Sequence, residues 1–407
     1  MNFFKYIYIA FCRIYQTILY YFMKFFKWDP PETIQGPNSI LQIPELLQKK
    51  GIKKPLIVTD KGITKLGLCD QLKNKLTESN IPYVYFDDTQ PNPVIKNIED
   101  AKSIYEQNCC DSIIAVGGGS AIDTAKIAAC RIVRPRTPVT WLSGVLGVLV
   151  KLPPIIAVPT TAGTGSEATI VAVVVDPKTH HKFALIDPTI RPSIAVLDPC
   201  LTLTLPMQIT STTGMDALTH AIEAYIGRSN VQQTIDDAEK SVKLIFDNLE
   251  KVYKNGDDII GRMKMLQASY YGGLAFTHAF IGNVHAIAHA LGGLYNVPHG
   301  LANAIILPYV LDYYGDTIYK QLARLADIVN LTDVNESAEV KAKAFINEIR
   351  EMNKRMNIPD KFDCIKKNDV KILVDRIIKE ANPLYPVPRI MDAQECEEII
   401  RNISSNL

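Results

Sequence analysis

The chain has 407 residues, of which 47% are apolar, and a formal net charge of +1. This size allows two domains with cores of their own, and the balanced charge gives no indication of nucleic-acid binding. The eight cysteines show neither CxxC nor framework spacing, which is typical of a reduced, cytoplasmic protein.

Residues 1–28 are rich in aromatic side chains and are predicted to form a helix. Arg13 interrupts the apolar run, which argues against a signal peptide and against a transmembrane span. Two alternatives stay open. The helix lies at a membrane surface with its basic residues at the headgroups, or it packs on the body of the protein or on a second subunit. The polar and basic side chains that share an arc of about 120° on its helical wheel are Lys5, Arg13, Gln16, Thr17, Lys24 and Lys27.

Strand and helix patterns alternate from Pro55 onward. Apolar runs predict strands at 55–60, 83–88 and 112–120, with helices at 67–79 and 94–107 between them. This alternation predicts a doubly wound, mostly parallel α/β sheet. Sheets of this kind bind ligands at the carboxyl ends of their strands.

A glycine-rich turn lies at the end of the third predicted strand. Gly117–Ser120 precede a helix predicted to begin near Asp123. Backbone N–H groups of such a turn and of a helix N-terminus suit a pyrophosphate, although many tight turns look alike. Asp60 ends the first strand, where a carboxylate would bond a ribose 2′-hydroxyl and repel a 2′-phosphate.

A second candidate ligand loop, PTTAGTGSE, follows a strand predicted at 155–158. Its hydroxyl and N–H groups suit phosphate or carboxamide contacts. The preceding stretch, 131–153, is interpreted as a helix and loop that cover the cofactor. Residues 197–206 read as a hinge, after which the pattern is helical. We therefore predict an N-terminal helix over 1–30, a dinucleotide-binding α/β domain over 31–205, and an all-helical metal-binding domain over 206–407.

Five of the seven histidines lie between residues 220 and 299. His285 and His289 are four residues apart, as are Asp216 and His220, so each pair shares one helical face. His299 follows a proline that suits a helix start. Three imidazoles and one carboxylate suit zinc or a similar divalent ion, whereas a single pair of this kind is more often a satisfied core or surface pair.

The segments GMDALTHAIEAY and VHAIAHALGGLYNVPHGLANA closely resemble the metal signatures of the iron-containing (group III) alcohol dehydrogenase family. The resemblance extends from about Thr33 to the C-terminus and includes GGGSxxD, PNP and PTTAGTGSE. It implies that His289 relays a proton, and that the metal ligands are Asp216, His220, His285 and His299. The cofactor contacts it implies are Asp60, Asn92, Gly117, Gly118, Gly119, Ser120, Asp123, Thr160, Thr161, Thr164 and Lys182.

The resemblance also implies an activity: hydride transfer between a nicotinamide and a small, uncharged alcohol or aldehyde. Asp60 favours NAD over NADP. The family name favours Fe²⁺, whereas the ligand types favour Zn²⁺. Homodimers or larger homo-oligomers are usual in the family. One departure concerns the substrate: Thr277-His278-Ala279 stand where relatives often have Ser-Asn-Ala, so His278 either faces the substrate or is an ordinary helix-start residue.

Other classes of function remain as alternatives. A metal- and NAD-dependent lyase resembling dehydroquinate synthase would use the same motifs without net NADH formation. A metal hydrolase would leave the two ligand loops unexplained. A non-enzymatic scaffold at a membrane surface would rest on residues 1–28 alone.

Overall fold

Apolar runs fold into strands in the computed structural model, which describes residues 3–23, 29–177 and 181–407. The strands are β1 (Glu32–Gln35), β2 (Pro55–Asp60), β3 (Val84–Thr89), β4 (Ser112–Gly117), β5 (Gly144–Val145), β6 (Ile155–Pro159), β7 (Val171–Asp176), β8 (His181–Ile186) and β9 (Ile194–Leu197). Six of them form one sheet in the order β1-β9-β6-β4-β2-β3. Every neighbouring pair in this sheet is parallel, so the carboxyl ends of its strands meet at one edge.

Helices cover both faces of this sheet because successive side chains of a strand point to opposite sides. On one face Leu56 and Ile113 pack with Ile98 of the following helical region. On the other face Ile57 and Ile114 join a second buried cluster. Burial on both faces explains why the central strands are continuous apolar runs instead of alternating patterns.

The remaining strands form a small second sheet in the order β5-β8-β7. β7 and β8 are antiparallel, and β5 pairs with the outer side of β8. The stretch 131–153 belongs largely to this region: Val148 is buried, and its backbone N–H donates to Asp187 at 2.8 Å. Its first residues, 131–133, instead complete a helix.

The helices are α1 (Phe3–Met23), α2 (Ile43–Lys49), α3 (Lys61–Lys65), α4 (Asp70–Glu78), α5 (Ile95–Gln107), α6 (Gly119–Val133), α7 (Met207–Ile226), α8 (Gln232–Lys254), α9 (Ile259–Ala279), α10 (Asn283–Tyr295), α11 (His299–Tyr314), α12 (Tyr319–Ile328), α13 (Ala338–Arg355), α14 (Val370–Ala381) and α15 (Ala393–Asn402). From Met207 onward the regular structure is helical. Helix α7 is buried over sixteen of its twenty residues, so it forms the centre of this region and its ionisable side chains must find partners there.

Two compact units divide the chain. The sheet unit comprises the described residues of Trp28–Leu205 and Gly256–Gly273, and the helical unit comprises those of Met1–Lys27, Pro206–Asn255 and Leu274–Leu407. The predicted fold class, a doubly wound parallel sheet followed by an all-helical region, is confirmed.

Helix α1 packs on the helical unit through its polar stripe. Lys5 pairs with Asp392 and Glu395. Arg13 donates to the carbonyl oxygens of Val387 and Pro388 at 2.7 and 2.9 Å. The two basic side chains therefore face the protein, as in the alternative in which the helix packs on the body of the protein, and not as in the alternative with basic residues at lipid headgroups.

The last two basic residues of the N-terminal segment, the prediction that it does not span a membrane, and the cysteines remain to be compared with the structure. Lys24 and Lys27 lie outside the described residues. Within the described parts of the chain, no helix combines the length and the hydropathy needed to cross a bilayer. All eight cysteines are free thiols.

Two local predictions were wrong, a strand end and a helix start, and one of the two alternatives for His278 is excluded. The strand predicted over 112–120 ends at Gly117, and α6 begins at Gly119 instead of near Asp123. The glycines and Ser120 read as a loop in the sequence, yet Ser120 and Gly119 already form the first turn of the helix. His278 is not a helix-start residue, because it lies in the last turn of α9.

Candidate metal centre and nucleotide loops

Three helices of the helical unit bring four predicted ligands together. Asp216 and His220 lie one turn apart on α7, His285 lies near the start of α10, and His299 is the first residue of α11. Candidate ligand atoms of Asp216, His220 and His285 all lie within 4.8 Å of one another. The Nε2 atom of His299 is 3.6 Å from Asp216 Oδ1, which adds the fourth group.

A close helix contact makes this convergence possible. Gly300, directly after His299, packs on the backbone of α7. A Cβ atom at this position would lie 2.4 Å from the carbonyl oxygen of Thr212. The missing side chain therefore allows the first turn of α11 to approach α7 closely enough for His299 to reach Asp216.

The buried amide of Asn303 marks the point where the ligand atoms meet. Its Nδ2 donates to Asp216 Oδ1 at 2.6 Å and lies 3.1 Å from His285 Nε2 and 3.3 Å from His299 Nε2. A carboxylate oxygen and two imidazole nitrogens thus present acceptor atoms to one small volume. Such a donor set, with His220 beside it, fits a divalent transition metal.

The sheet unit brings the predicted nucleotide residues to the carboxyl edge of the parallel sheet. Gly117 ends β4 with φ of 153°, and a Cβ atom there would lie 2.7 Å from that of Ala121 and 3.6 Å from Asp60 Oδ2. Asp60 ends β2 and caps α3 by accepting from Ile63 N–H at 3.0 Å. Ser120 lies in the first turn of α6, whose N-terminus suits a phosphate.

The PTTAGTGSE loop lies directly against this turn. Thr160 N–H donates to the carbonyl oxygen of Gly117 at 3.0 Å. A Cβ atom at Gly118 would lie 3.4 Å from Thr161 Oγ1, and one at Gly119 would lie 2.9 Å from Thr164 Oγ1. Gly119 is therefore needed for the close packing of the two loops, whereas a Cβ atom at Gly118 would make only an ordinary contact.

Three further predicted cofactor residues lie around β7 and β8. Lys182 Nζ donates to Asn92 Oδ1 at 3.3 Å, which joins the PNP turn to β8. Asp123 accepts from the Ser166 hydroxyl at 2.6 Å and from Val173 N–H at 3.0 Å. Both carboxylate oxygens of Asp123 thus fasten α6 to neighbouring segments of the protein.

Known proteins are similar to this chain along nearly its whole length. Residues 30–199 match the family model for iron-containing alcohol dehydrogenase, and residues 210–404 match that for the C-terminal part of the Fe-containing alcohol dehydrogenase family.

The chain belongs to the iron-containing alcohol dehydrogenase family.

Individual members of the family are similar over most of their length. The 1,3-propanediol dehydrogenase of Citrobacter freundii is 36% identical over 90% of this chain and 95% of its own. The NAD-dependent methanol dehydrogenase of Bacillus methanolicus is 32% identical over 92% and 98%. A solved structure of 1,3-propanediol oxidoreductase superimposes with a TM-score of 0.89 at 35% identity, covering 93% of this chain and 99% of that one.

Membership makes this chain an oxidoreductase that acts on a CH–OH group with NAD and a divalent metal. The alternative lyase function is not favoured by these relatives.

Glu223 supports the candidate metal centre of this family member, although it was not predicted from the sequence. Its carboxylate accepts from the N–H groups of Gly282 and Val284, each at 2.7 Å, and from His285 Nδ1 at 2.6 Å. Because Nδ1 donates its proton, the lone pair of Nε2 faces Asp216. A signal existed, since Glu223 lies two turns after Asp216 on the same face of α7.

His289 is held by a separate pair of residues. Its Nδ1 lies 2.6 Å from Glu380 Oε1, and the Tyr385 hydroxyl donates to the same oxygen at 2.8 Å. Burial opposes ionisation of Glu380, yet His289 and Tyr385 hold the pKa of this carboxyl below its usual value. The ring of His289 stacks on that of His299 at 5.1 Å, so this imidazole borders the candidate metal centre.

Lys126 is a further residue that the motifs did not reveal. It is fully buried in α6 and donates to the Ser166 hydroxyl at 3.0 Å and to the carbonyl oxygens of Thr169 and Val171 at 2.9 Å. Burial lowers the pKa of this ammonium group to about 8. Lys126 therefore holds the end of the PTTAGTGSE loop against the helix that begins at the glycine-rich turn.

Proposed function

We propose that this dehydrogenase interconverts small, uncharged alcohols and their aldehydes, with the metal held by Asp216, His220, His285 and His299. The observation that carries the proposal is the meeting of one carboxylate oxygen and two imidazole nitrogens at the Asn303 amide. When bound there, a divalent metal would act as a Lewis acid on the substrate oxygen. The relatives that act on methanol and 1,3-propanediol support small alcohols as substrates.

The residues of the nucleotide loops would hold NAD, which supplies the hydride acceptor. We assign the pyrophosphate to Gly117–Ser120 at the start of α6, and the ribose hydroxyls to Asp60. The remaining contacts in this assignment are Asn92, Asp123, Thr160, Thr161, Thr164 and Lys182. The contacts of Asp123 and Lys126 with Ser166 support an additional role for Asp123 in positioning the loop.

His289 would take the proton that leaves the alcohol. Its Nδ1 is hydrogen-bonded to Glu380, so Nε2 is the atom that would accept and release the proton. Glu380 and Tyr385 act as positioning residues, because Glu380 bonds His289 and Tyr385 bonds Glu380, which holds the His289 ring next to His299.

Several finer assignments belong to the same proposal. We assign Fe²⁺ to the centre on the basis of the family description, with Zn²⁺ as the second candidate because its ligand preferences are similar. We also propose a homodimer or larger homo-oligomer, domains spanning 1–30, 31–205 and 206–407, and a cytoplasmic enzyme that contacts a membrane surface through residues 1–28.

Anaerobic NADH formation from a panel of primary alcohols and diols tests the function. The enzyme is assayed with Fe²⁺, with Zn²⁺ and with a chelator, and the His285→Ala variant serves as the comparison. We expect turnover that requires metal, prefers NAD over NADP and is lost in the variant. Full activity of His285→Ala, or of the chelated enzyme, would show that the metal assignment is wrong.

A further inference from the structure

Helix α1 has an inner and an outer face of very different character. Cys12 and Gln16 are buried, and Gln16 donates to the carbonyl oxygens of Pro383 and Tyr385 at 3.1 and 2.7 Å. Together with the contacts of Lys5 and Arg13, these bonds fix the inner face to residues 383–392 and to the first turn of α15. The helix is thus held in one orientation, and its opposite, outer face is exposed on the surface of the protein.

The outer face is apolar and carries no charge. Among the described residues, 17 large apolar side chains are exposed, and eight of these lie on this one helix: Tyr6, Ile7, Tyr8, Phe11, Ile14, Tyr15, Ile18 and Tyr21. The exposed hydroxyl of Thr17 donates back to the carbonyl oxygen of Arg13. We refer to these eight side chains as the outer face of α1.

This arrangement is the reverse of a surface helix in water. An ordinary amphipathic helix turns its apolar side to the core and its charges to the solvent, whereas α1 turns its charges to the protein. A contiguous apolar patch of this kind marks a surface that another apolar phase covers. The α1 helix therefore indicates an interaction surface.

The width of the outer face favours lipid over a second helix. At 100° per residue, its eight side chains span an arc of about 200°. A partner helix covers a stripe of about 100°, and would leave half of these side chains in water. A bilayer surface, in contrast, surrounds the exposed side of a helix that lies in it.

The composition of the outer face also suits the bilayer interface. Four of its eight side chains are tyrosines, a residue type that combines an apolar ring with a polar hydroxyl and is enriched at membrane interfaces. The helix has 21 residues and is about 31 Å long at 1.5 Å per residue. With Lys5 and Arg13 bonded to the protein beside it, the helix suits lying on a bilayer and does not suit crossing it.

We propose that α1 is a membrane-contact helix whose outer face lies in the interfacial layer of a lipid bilayer. This inference deepens the membrane contact in the proposed function by naming the contacting face and assigning the basic residues to the protein side. It is independent of catalysis, because binding to vesicles requires neither NAD nor an alcohol.

Flotation of the full chain with phosphatidylcholine vesicles tests the proposal. The test variant is Ile7→Gln/Ile14→Gln/Ile18→Gln, which places three polar groups on the outer face. We expect the unmodified protein to float with the vesicles, and we expect the vesicle-bound fraction of the variant to fall by at least about tenfold. Binding is expected to persist in molar salt, since an uncharged face is insensitive to screening.

The matched control carries the same kind of change at exposed apolar residues on three other parts of the chain, Ile260→Gln/Val334→Gln/Ile372→Gln. We expect the control to bind vesicles like the unmodified protein. We also expect both variants to retain NADH formation from alcohols, which reports that the enzyme is folded.

Three results would overturn the proposal. The unmodified protein fails to float, the outer-face variant floats equally well, or binding disappears in molar salt and so depends on charge. Sedimentation tests whether a second copy of the chain covers the outer face instead of lipid. If the unmodified protein is a dimer that does not bind vesicles, and the outer-face variant is a monomer, this face is a protein–protein interface.

Discussion

The buried carboxylate of Glu223 serves two groups that meet only in the folded chain. It accepts hydrogen bonds from the N–H groups at the start of α10, which have no partner within that helix, and from Nδ1–H of His285. One side chain therefore fixes both the position of the helix and the orientation of the ligand imidazole.

Replacing Glu223 by Gln is expected to weaken metal binding about 10- to 100-fold. The amide has one acceptor oxygen, so it cannot accept all three N–H groups, and the His285 ring loses its fixed orientation. Chelator competition measures the dissociation constant of the metal. Glu239→Gln, which changes a carboxylate that bonds Tyr225 and Arg324, is the control and leaves the constant unchanged. Equal metal affinity in both variants would contradict the role given to Glu223.

Glu167 is predicted to make stability depend on pH. This residue is buried, one of its carboxyl oxygens has no hydrogen-bond partner among the described residues, and burial raises its pKa to about 7. Between pH 5 and pH 7, the Glu167 carboxyl is therefore protonated in the folded state and ionised in the unfolded state. The contribution of Glu167 to the free energy of unfolding is fully present below pH 4.5, the usual pKa of the group, and is lost as the pH rises through 7.

Urea unfolding at pH 5 and pH 8 tests this prediction. The free energy of unfolding should fall with rising pH by up to about 3 kcal/mol more in the unmodified protein than in Glu167→Gln. The amide has a similar shape and does not titrate, so it serves as the matched comparison. An identical pH dependence in the two proteins would exclude a raised pKa at this site.

Residue spacing alone predicts the part of the candidate site that lies within single helices. Asp216 with His220 and His285 with His289 are i, i+4 pairs, and the structure places each pair on one helix as predicted. Spacing cannot identify Asn303 or Glu223, because their partners lie on other helices and their contacts depend on packing. Likewise, the sequence revealed the polar stripe of α1 but left open whether a membrane surface or the protein itself covers it.

The contact of α11 with α7 is tested by Gly300→Ala. The added Cβ would lie 2.4 Å from the carbonyl oxygen of Thr212, so α11 must move away and carry His299 with it. We expect a loss of about 1–3 kcal/mol in stability together with weaker metal binding, measured by urea unfolding and chelator competition.

Gly292→Ala is the control for this contact. Gly292 lies inside α10, and a Cβ there would be 3.6 Å from its nearest neighbour, an ordinary contact. Alanine is expected to stabilise the helix by up to about 1 kcal/mol and to leave metal binding unchanged. If Gly300→Ala behaved in the same way, close packing at Gly300 would not determine the position of His299.

At the scale of the whole molecule, the fold class was predictable because strands and helices alternate from β2 to α6 and the chain from Met207 onward is helical. The strand at 55–60 matches β2 in both bounds. The boundary at Gly117–Ser120 was not predictable, since glycines that open a helix resemble a loop. Lys126 was hidden for a similar reason: a lysine in an apolar helix gains its partners from a loop about 40 residues later in the chain.

The central claim is that Asp216, His220, His285 and His299 hold one divalent metal. Anomalous X-ray diffraction at the iron and zinc absorption edges, from enzyme loaded anaerobically with each metal, tests it most directly. We expect one anomalous peak within about 2.0–2.3 Å of an oxygen of Asp216 and a nitrogen of each histidine. An active, metal-loaded enzyme whose anomalous peak lies elsewhere would contradict the claim.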